Sequence, residues 1–153
     1  MKLLLLILLA FGTGSTQDTA QDDGVATLTL QNVGASAWQV TATEGTEDME
    51  TVTEVDVDNP ALTLTVGGRY RFDVSNVNSD VHPLAFRDAG GNDLLTQGGS
   101  EGSFETDPAV AFGAEADFVI FTVTPELADV LASYVCTIHS AMTGEVSTVA
   151  AGE

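Results

Sequence analysis

The 153-residue sequence predicts an all-β fold, a Greek-key antiparallel β-sandwich carrying one short helical turn. Three observations lead there. Several short runs alternate apolar and polar residues, the period-two spacing that turns every second side chain to one face of a sheet. Gly, Pro, Asn and Asp interrupt these runs at close intervals. Beyond the amino-terminal apolar run, no stretch carries a long helical period.

Taken in order, the first strand candidates are Val25 to Leu30 and Trp38 to Ala42, followed by the alternating Ala61 to Val66. Gly67-Gly68 is a hairpin signal, leading into Tyr70 to Val74 with its apolar residues again at every second place. Phe118 to Val123 is nearly all apolar, the mark of a central strand buried on both faces. Pro125 to Leu131 fits one helical turn, because Thr124 can cap it and Pro125 suits the first helical position. Tyr134 to Cys136 and Glu145 to Val149 complete a set of about seven or eight short strands. Two longer loops are expected, the acidic Glu44 to Glu50 and the Gly- and Asp-rich Asp88 to Asp117.

The amino terminus reads as something other than the domain. One positive charge at Lys2, an unbroken apolar run from Leu3 to Phe11, and small residues at Gly12, Gly14 and Ser15 follow the plan of a secretory signal over residues 1–14. Residues 15–24 read as a disordered lead-in and 25–153 as the folded domain. The apolar run is short for a membrane span, so no stable membrane insertion is expected after signal cleavage, and the chain is expected to be periplasmic or extracellular. An uncleaved anchor is the alternative.

Asp and Glu number 23 against four Lys and Arg, for a net charge of −19. Such a surface repels nucleic acid and excludes it as a partner. Acid spread evenly through a chain without lysine after Lys2 fits high-salt surroundings, where screening relieves self-repulsion. An acidic docking patch for a basic redox partner is the alternative reading.

The chain has one cysteine and two histidines. An exported protein normally pairs its cysteines, so a lone one is a free thiol, a buried small hydrophobe or a ligand. Here Cys136, His139 and Met142 fall three residues apart within Tyr134-Val-Cys-Thr-Ile-His-Ser-Ala-Met-Thr-Gly144. On a helix they would form a packing stripe, but Thr137, Ile138, Thr143 and Val146 are poor helix formers and Gly144 interrupts the segment. A strand, a tight loop and a second strand bring the three side chains to one point instead. With His82 they make one thiolate, two imidazoles and one thioether, the His₂Cys set with a weak axial Met that holds mononuclear copper in electron-transfer sites. Zinc also accepts Cys and His. Four protein ligands leave no open position for substrate, so no enzyme activity is expected at the metal.

The pattern Cys136-x-x-His139-x-x-Met142, followed by Gly144 and a β-rich end, resembles the ligand loop of the cupredoxins, the small blue copper proteins, with a spacing similar to the amicyanins. The resemblance implies that His82, in Asp80-Val-His-Pro-Leu84 after a strand, is the first ligand, and that one copper per chain carries single electrons between redox partner proteins. A copper-binding or delivery protein and a metal-free cupredoxin-like module are the other readings. Departures from the family lie at Pro83, where Asn is common and its N–H bonds the thiolate, at Val135, where plastocyanins carry an aromatic residue, and from Glu126 to Ser133. Tyr134 matches the inward residue before the ligand strand's end. Since Pro83 lacks an N–H, the Ile138 N–H is expected to donate to the Cys136 sulfur instead.

Overall fold

A computed structural model describes residues 24–45, 54–98 and 101–152. The expected signal peptide, nearly all of the lead-in and most of the Glu44 to Glu50 loop lie outside the described residues. Ten strands and one helical turn follow in order: β1 (Val25–Val33), β2 (Ala37–Glu44), β3 (Leu62–Thr65), β4 (Arg69–Asp73), β5 (Leu84–Asp88), β6 (Asp93–Thr96), β7 (Gly113–Glu115), β8 (Phe118–Thr122), α1 (Pro125–Ala128), β9 (Leu131–Cys136) and β10 (Thr143–Val149). They form two five-stranded sheets, ordered β2-β1-β4-β8-β7 and β3-β10-β9-β5-β6.

The two sheets pack face to face through the alternating residues that the sequence marks. Leu28, Leu30, Trp38, Tyr70, Phe72 and Phe121 of the first sheet, with Leu62, Leu64, Leu84, Phe86, Leu95 and Tyr134 of the second, are fully buried. Phe86 crosses the interface to meet Phe72 and Phe121, each with ring centroids 4.8 Å apart, while Phe72 and Phe121 stack at 5.6 Å. Such tilted and edge contacts add to the burial of the rings.

Pairing is antiparallel except at one place in each sheet. β1 runs parallel to β4, and β3 runs parallel to β10. The expectation of a purely antiparallel sandwich is corrected there, and the cause is the path of the chain. After β2, the segment 54–60 runs back along that strand's outer edge, with Asp56 N–H donating to Val40 O at 2.9 Å and Asn59 N–H to Trp38 O at 2.7 Å. The chain then enters the second sheet as β3, so β4 returns beside β1 pointing the same way.

Gly67-Gly68 therefore turns a corner between sheets and closes no hairpin. Gly67 adopts φ +86°, a left-handed conformation that glycine takes without steric cost. Its N–H donates to Val123 O at 2.7 Å, and Val66 N–H donates to Val149 O at 2.8 Å. β8 is an interior strand but is buried on one face only. Val119 and Phe121 point inward, whereas Phe118 and Ile120 are half-buried, with the Arg71 guanidinium 3.9 Å above the Phe118 ring. The helical turn forms as expected, Thr124 Oγ1 accepting from Leu127 N–H at 3.2 Å. The expected Asp88 to Asp117 loop contains β6 and β7, and β5 precedes it. β5 and β6 do not alternate, burying Leu84 to Phe86 and Leu94 to Thr96 in succession, and all three strands are decided by their pairing partners.

Candidate metal centre

The site lies at the end of the sandwich where β1, β4 and β9 finish and where β2, β3, β5 and β10 begin. His82 is delivered by a turn after β4: Val81 and His82 both donate their N–H groups to Asn78 O, at 3.0 and 2.9 Å, and Asn78 Oδ1 accepts from Asp80 N–H at 3.1 Å. The β5–β9 register pairs Leu84 with Cys136, and Thr137 N–H donates to Pro83 O at 3.1 Å. This ladder carries His82 past the end of β5 to the level of the Cys136 loop. Pro83 falls where its carbonyl is used and its missing N–H is not. Gln97 secures the start of β5, its Oε1 accepting from Leu84 N–H at 3.1 Å while its Nε2 donates to Glu115 O and Ala116 O.

Cys136 ends β9, and the segment 137–142 loops over to β10. Cys136 N–H donates to Met142 O at 2.9 Å and Met142 N–H to His139 O at 3.0 Å, closing the loop tightly. Asn59, held at φ +49°, clamps it from the other sheet, because Nδ2 donates to Ala141 O at 3.0 Å and Oδ1 accepts from Trp38 N–H at 3.0 Å. Asn occupies the left-handed region more readily than most residues. The loop geometry displaces the helical-stripe alternative.

This arrangement brings the single cysteine and both histidines together. The ligand atoms of His82, Cys136 and His139 all lie within 4.8 Å of one another, with His82 and Cys136 buried and His139 half-buried. Cys136 Sγ is 3.5 Å from His139 Nδ1 and 4.0 Å from His82 Nδ1, and the two imidazole centroids are 4.7 Å apart. A metal about 2.3 Å from sulfur and about 2.0 Å from nitrogen, at angles of about 110–120°, places those atoms about 3.5–3.7 Å apart. The observed separations bracket that value, so these three residues are close enough to hold a metal ion. Met142, the fourth residue of the expected set, closes the loop and is fully buried in the core.

The electrostatics suit ligation. Burial, and then the neighbouring His139, hold the His82 pKa below the usual imidazole value, which favours the neutral ring that a metal requires. The Cys136 sulfur meets the Val81 carbonyl at 4.0 Å and the two imidazoles. Among the described residues no hydrogen bond runs to it from Ile138 N–H, so the expected relocation of that donor is corrected. Ile138 is instead directed outward and is 57% exposed. Tyr134 is inward as expected, fully buried, its hydroxyl donating to Pro60 O at 2.7 Å.

Two residues of the site were not singled out from the sequence. Asn59 clamps the ligand loop, and Asn32, in β1, places Nδ2 3.3 Å from His82 Nε2. The only local signals are an Asn before a Pro and an Asn two residues before a Gly, both ordinary turn marks.

The fold is a β-sandwich with a mostly buried His/Cys/His cluster, loosely compatible with a cupredoxin. Compared with known proteins, the chain matches no family model, no curated protein and no solved structure.

Proposed function

We propose that this chain is a cupredoxin-type blue copper protein that carries single electrons, with His82, Cys136 and His139 as the residues that would hold the copper and Met142 as a fourth, weaker ligand. The observation that carries the reading is the convergence of the only cysteine and both histidines from two segments distant in sequence, the His82 turn and the Cys136 to Met142 loop, onto one point. A soft thiolate beside two imidazoles is the donor set that selects copper for electron transfer.

Copper held there supplies reversible one-electron chemistry between Cu(I) and Cu(II). The residues do the rest. Cys136 gives up its proton to ligate, and His82 is already biased to the neutral form. Loop and ladder hydrogen bonds hold the two segments that carry these residues. His139 is half-buried and its neighbourhood includes the exposed Ile138 and Val81, 57% and 43% accessible, an apolar rim suited to brief docking of a redox partner protein. With four protein ligands no catalytic position stays open. Export through residues 1–14, to a periplasmic or extracellular and salt-rich setting, completes the proposal.

Titration of the purified metal-free protein with Cu(II) tests it. One equivalent is expected to produce an intense visible thiolate-to-copper band that ascorbate bleaches reversibly. Cys136→Ser should bind without that band, since the thiolate is its electron donor. Copper binding without colour in the parent, or a blue Cys136→Ser variant, refutes the assignment. Ready surrender of the copper to a competing chelator would favour a delivery role.

A further inference from the structure

We propose that Asn32 is the positioning residue that selects the tautomer of His82, and with it the availability of the Nδ1 lone pair. The inference rests on the metal-site reading for its purpose, and on the geometry of β1 for its substance. His82 turns its two ring nitrogens to different surroundings. Nδ1 faces the Cys136 sulfur at 4.0 Å and belongs to the ligand cluster. Nε2 faces the Asn32 side-chain amide at 3.3 Å, a contact spanning 50 positions of sequence. His82 is buried, so the partner of Nε2 bears on which nitrogen keeps the single proton of the neutral ring.

The Asn32 amide group is shared. Nδ2 donates to Gly34 O at 3.0 Å and also lies against Nε2. An NH₂ directed at Nε2 makes that nitrogen the acceptor and leaves the proton on Nδ1. That is the tautomer whose Nδ1 cannot ligate. A half turn of the amide presents Oδ1 to Nε2 instead, where it accepts from an Nε2–H and leaves the Nδ1 lone pair free. One proton leaves Nδ1 and one is taken up at Nε2, so the ring's charge is unchanged. The half turn gives up the Nδ2 bond to Gly34 O. The metal-free state thus favours one orientation of Asn32, and a ligating His82 needs the other. Position 32 is half-buried at the end of β1, where β2 pairing with Trp38 fixes the backbone, so the half turn involves the side chain alone.

The test separates tautomer from affinity. In metal-free protein at about pH 8, above the ordinary imidazole range, nitrogen-resolved NMR of the His82 ring should show Nδ1 protonated in the parent. In Asn32→Asp, whose carboxylate can only accept, the proton should move to Nε2 before any metal is added. Asn32→Leu offers Nε2 neither donor nor acceptor, and should weaken Cu(I) affinity about 10–100-fold in chelator competition, the usual loss when the outer partner of a metal-bound histidine is removed. Asn32→Asp should bind at least as tightly as the parent. The same His82 tautomer in parent and Asp variants overturns the proposal, whatever the metal does. So does Cu(I) affinity in a folded Asn32→Leu within about threefold of the parent, well short of the expected loss. A parent that binds no copper, while its tautomer follows residue 32, refutes the electron-carrier reading and leaves the Asn32 assignment standing.

Discussion

Gly144 is a strand residue whose replacement the structure penalises through a single identifiable neighbour. It pairs with Tyr134 across β9 and β10, and a methyl group at Gly144 would fall on Cε1, Cζ and Oη of that ring. Tyr134 cannot step aside at no cost, because it is fully buried and its hydroxyl donates to Pro60 O at 2.7 Å. Gly144→Ala therefore forces the ring outward against a packed core, at about 1–3 kcal/mol for overpacking. Loss of the hydroxyl's hydrogen bond adds about 0.5–1.5 kcal/mol. The total, about 1.5–4.5 kcal/mol, corresponds to a midpoint roughly 6–17 °C lower for a domain of this size. Thermal unfolding of the metal-free protein followed by circular dichroism in molar KCl measures it. The cycle partner is Tyr134→Ala, in whose background Gly144→Ala should cost less than about 1 kcal/mol, because the two residues couple directly. A midpoint within about 2 °C of the parent, or equal costs in both backgrounds, would show that the ring does not depend on the bare glycine.

Other outcomes follow from the same geometry. The thermal midpoint should climb steeply with KCl, since the screening length falls from about 10 Å at 0.1 M to about 3 Å at 1 M while the net charge is −19 and Arg87–Asp93 is the one ion pair among the described residues. A flat curve would reject salt adaptation in favour of an acidic docking patch. Asn59→Gly retains access to the left-handed backbone but removes the two side-chain bonds to Trp38 N–H and Ala141 O, so about 1–3 kcal/mol of stability should be lost. The Met142 amide should then exchange faster in hydrogen-exchange mass spectrometry or NMR, and unchanged protection would mean that Asn59 does not hold the loop.

The β class and the membership of the cluster were determined by sequence alone, because both rest on local or compositional facts. Alternation in Val25 to Leu30 and Tyr70 to Val74 sets the buried face whatever strand lies beside it, and Thr124-Pro125 starts a helical turn through its own side chain and ring. One cysteine and two histidines admit one His/Cys/His set, and the Cys136 to Met142 spacing confines three candidates to one loop. Sheet membership was a tertiary decision. Gly67-Gly68 announces a reversal but not whether the chain re-enters the same sheet, and here β3 and β4 belong to different sheets. β5 and β6 bury consecutive residues, Leu84 to Phe86 and Leu94 to Thr96, so neither shows the period-two alternation, and Gly113–Glu115 is a strand because β8 pairs with it. His82 reaches Cys136 only through the β5–β9 register, and Asn32 and Asn59 reach the site across 50 and 82 positions. The division is physical: side-chain period and backbone preference are properties of a few neighbouring residues, whereas a hydrogen bond between distant segments exists only once the two sheets have packed.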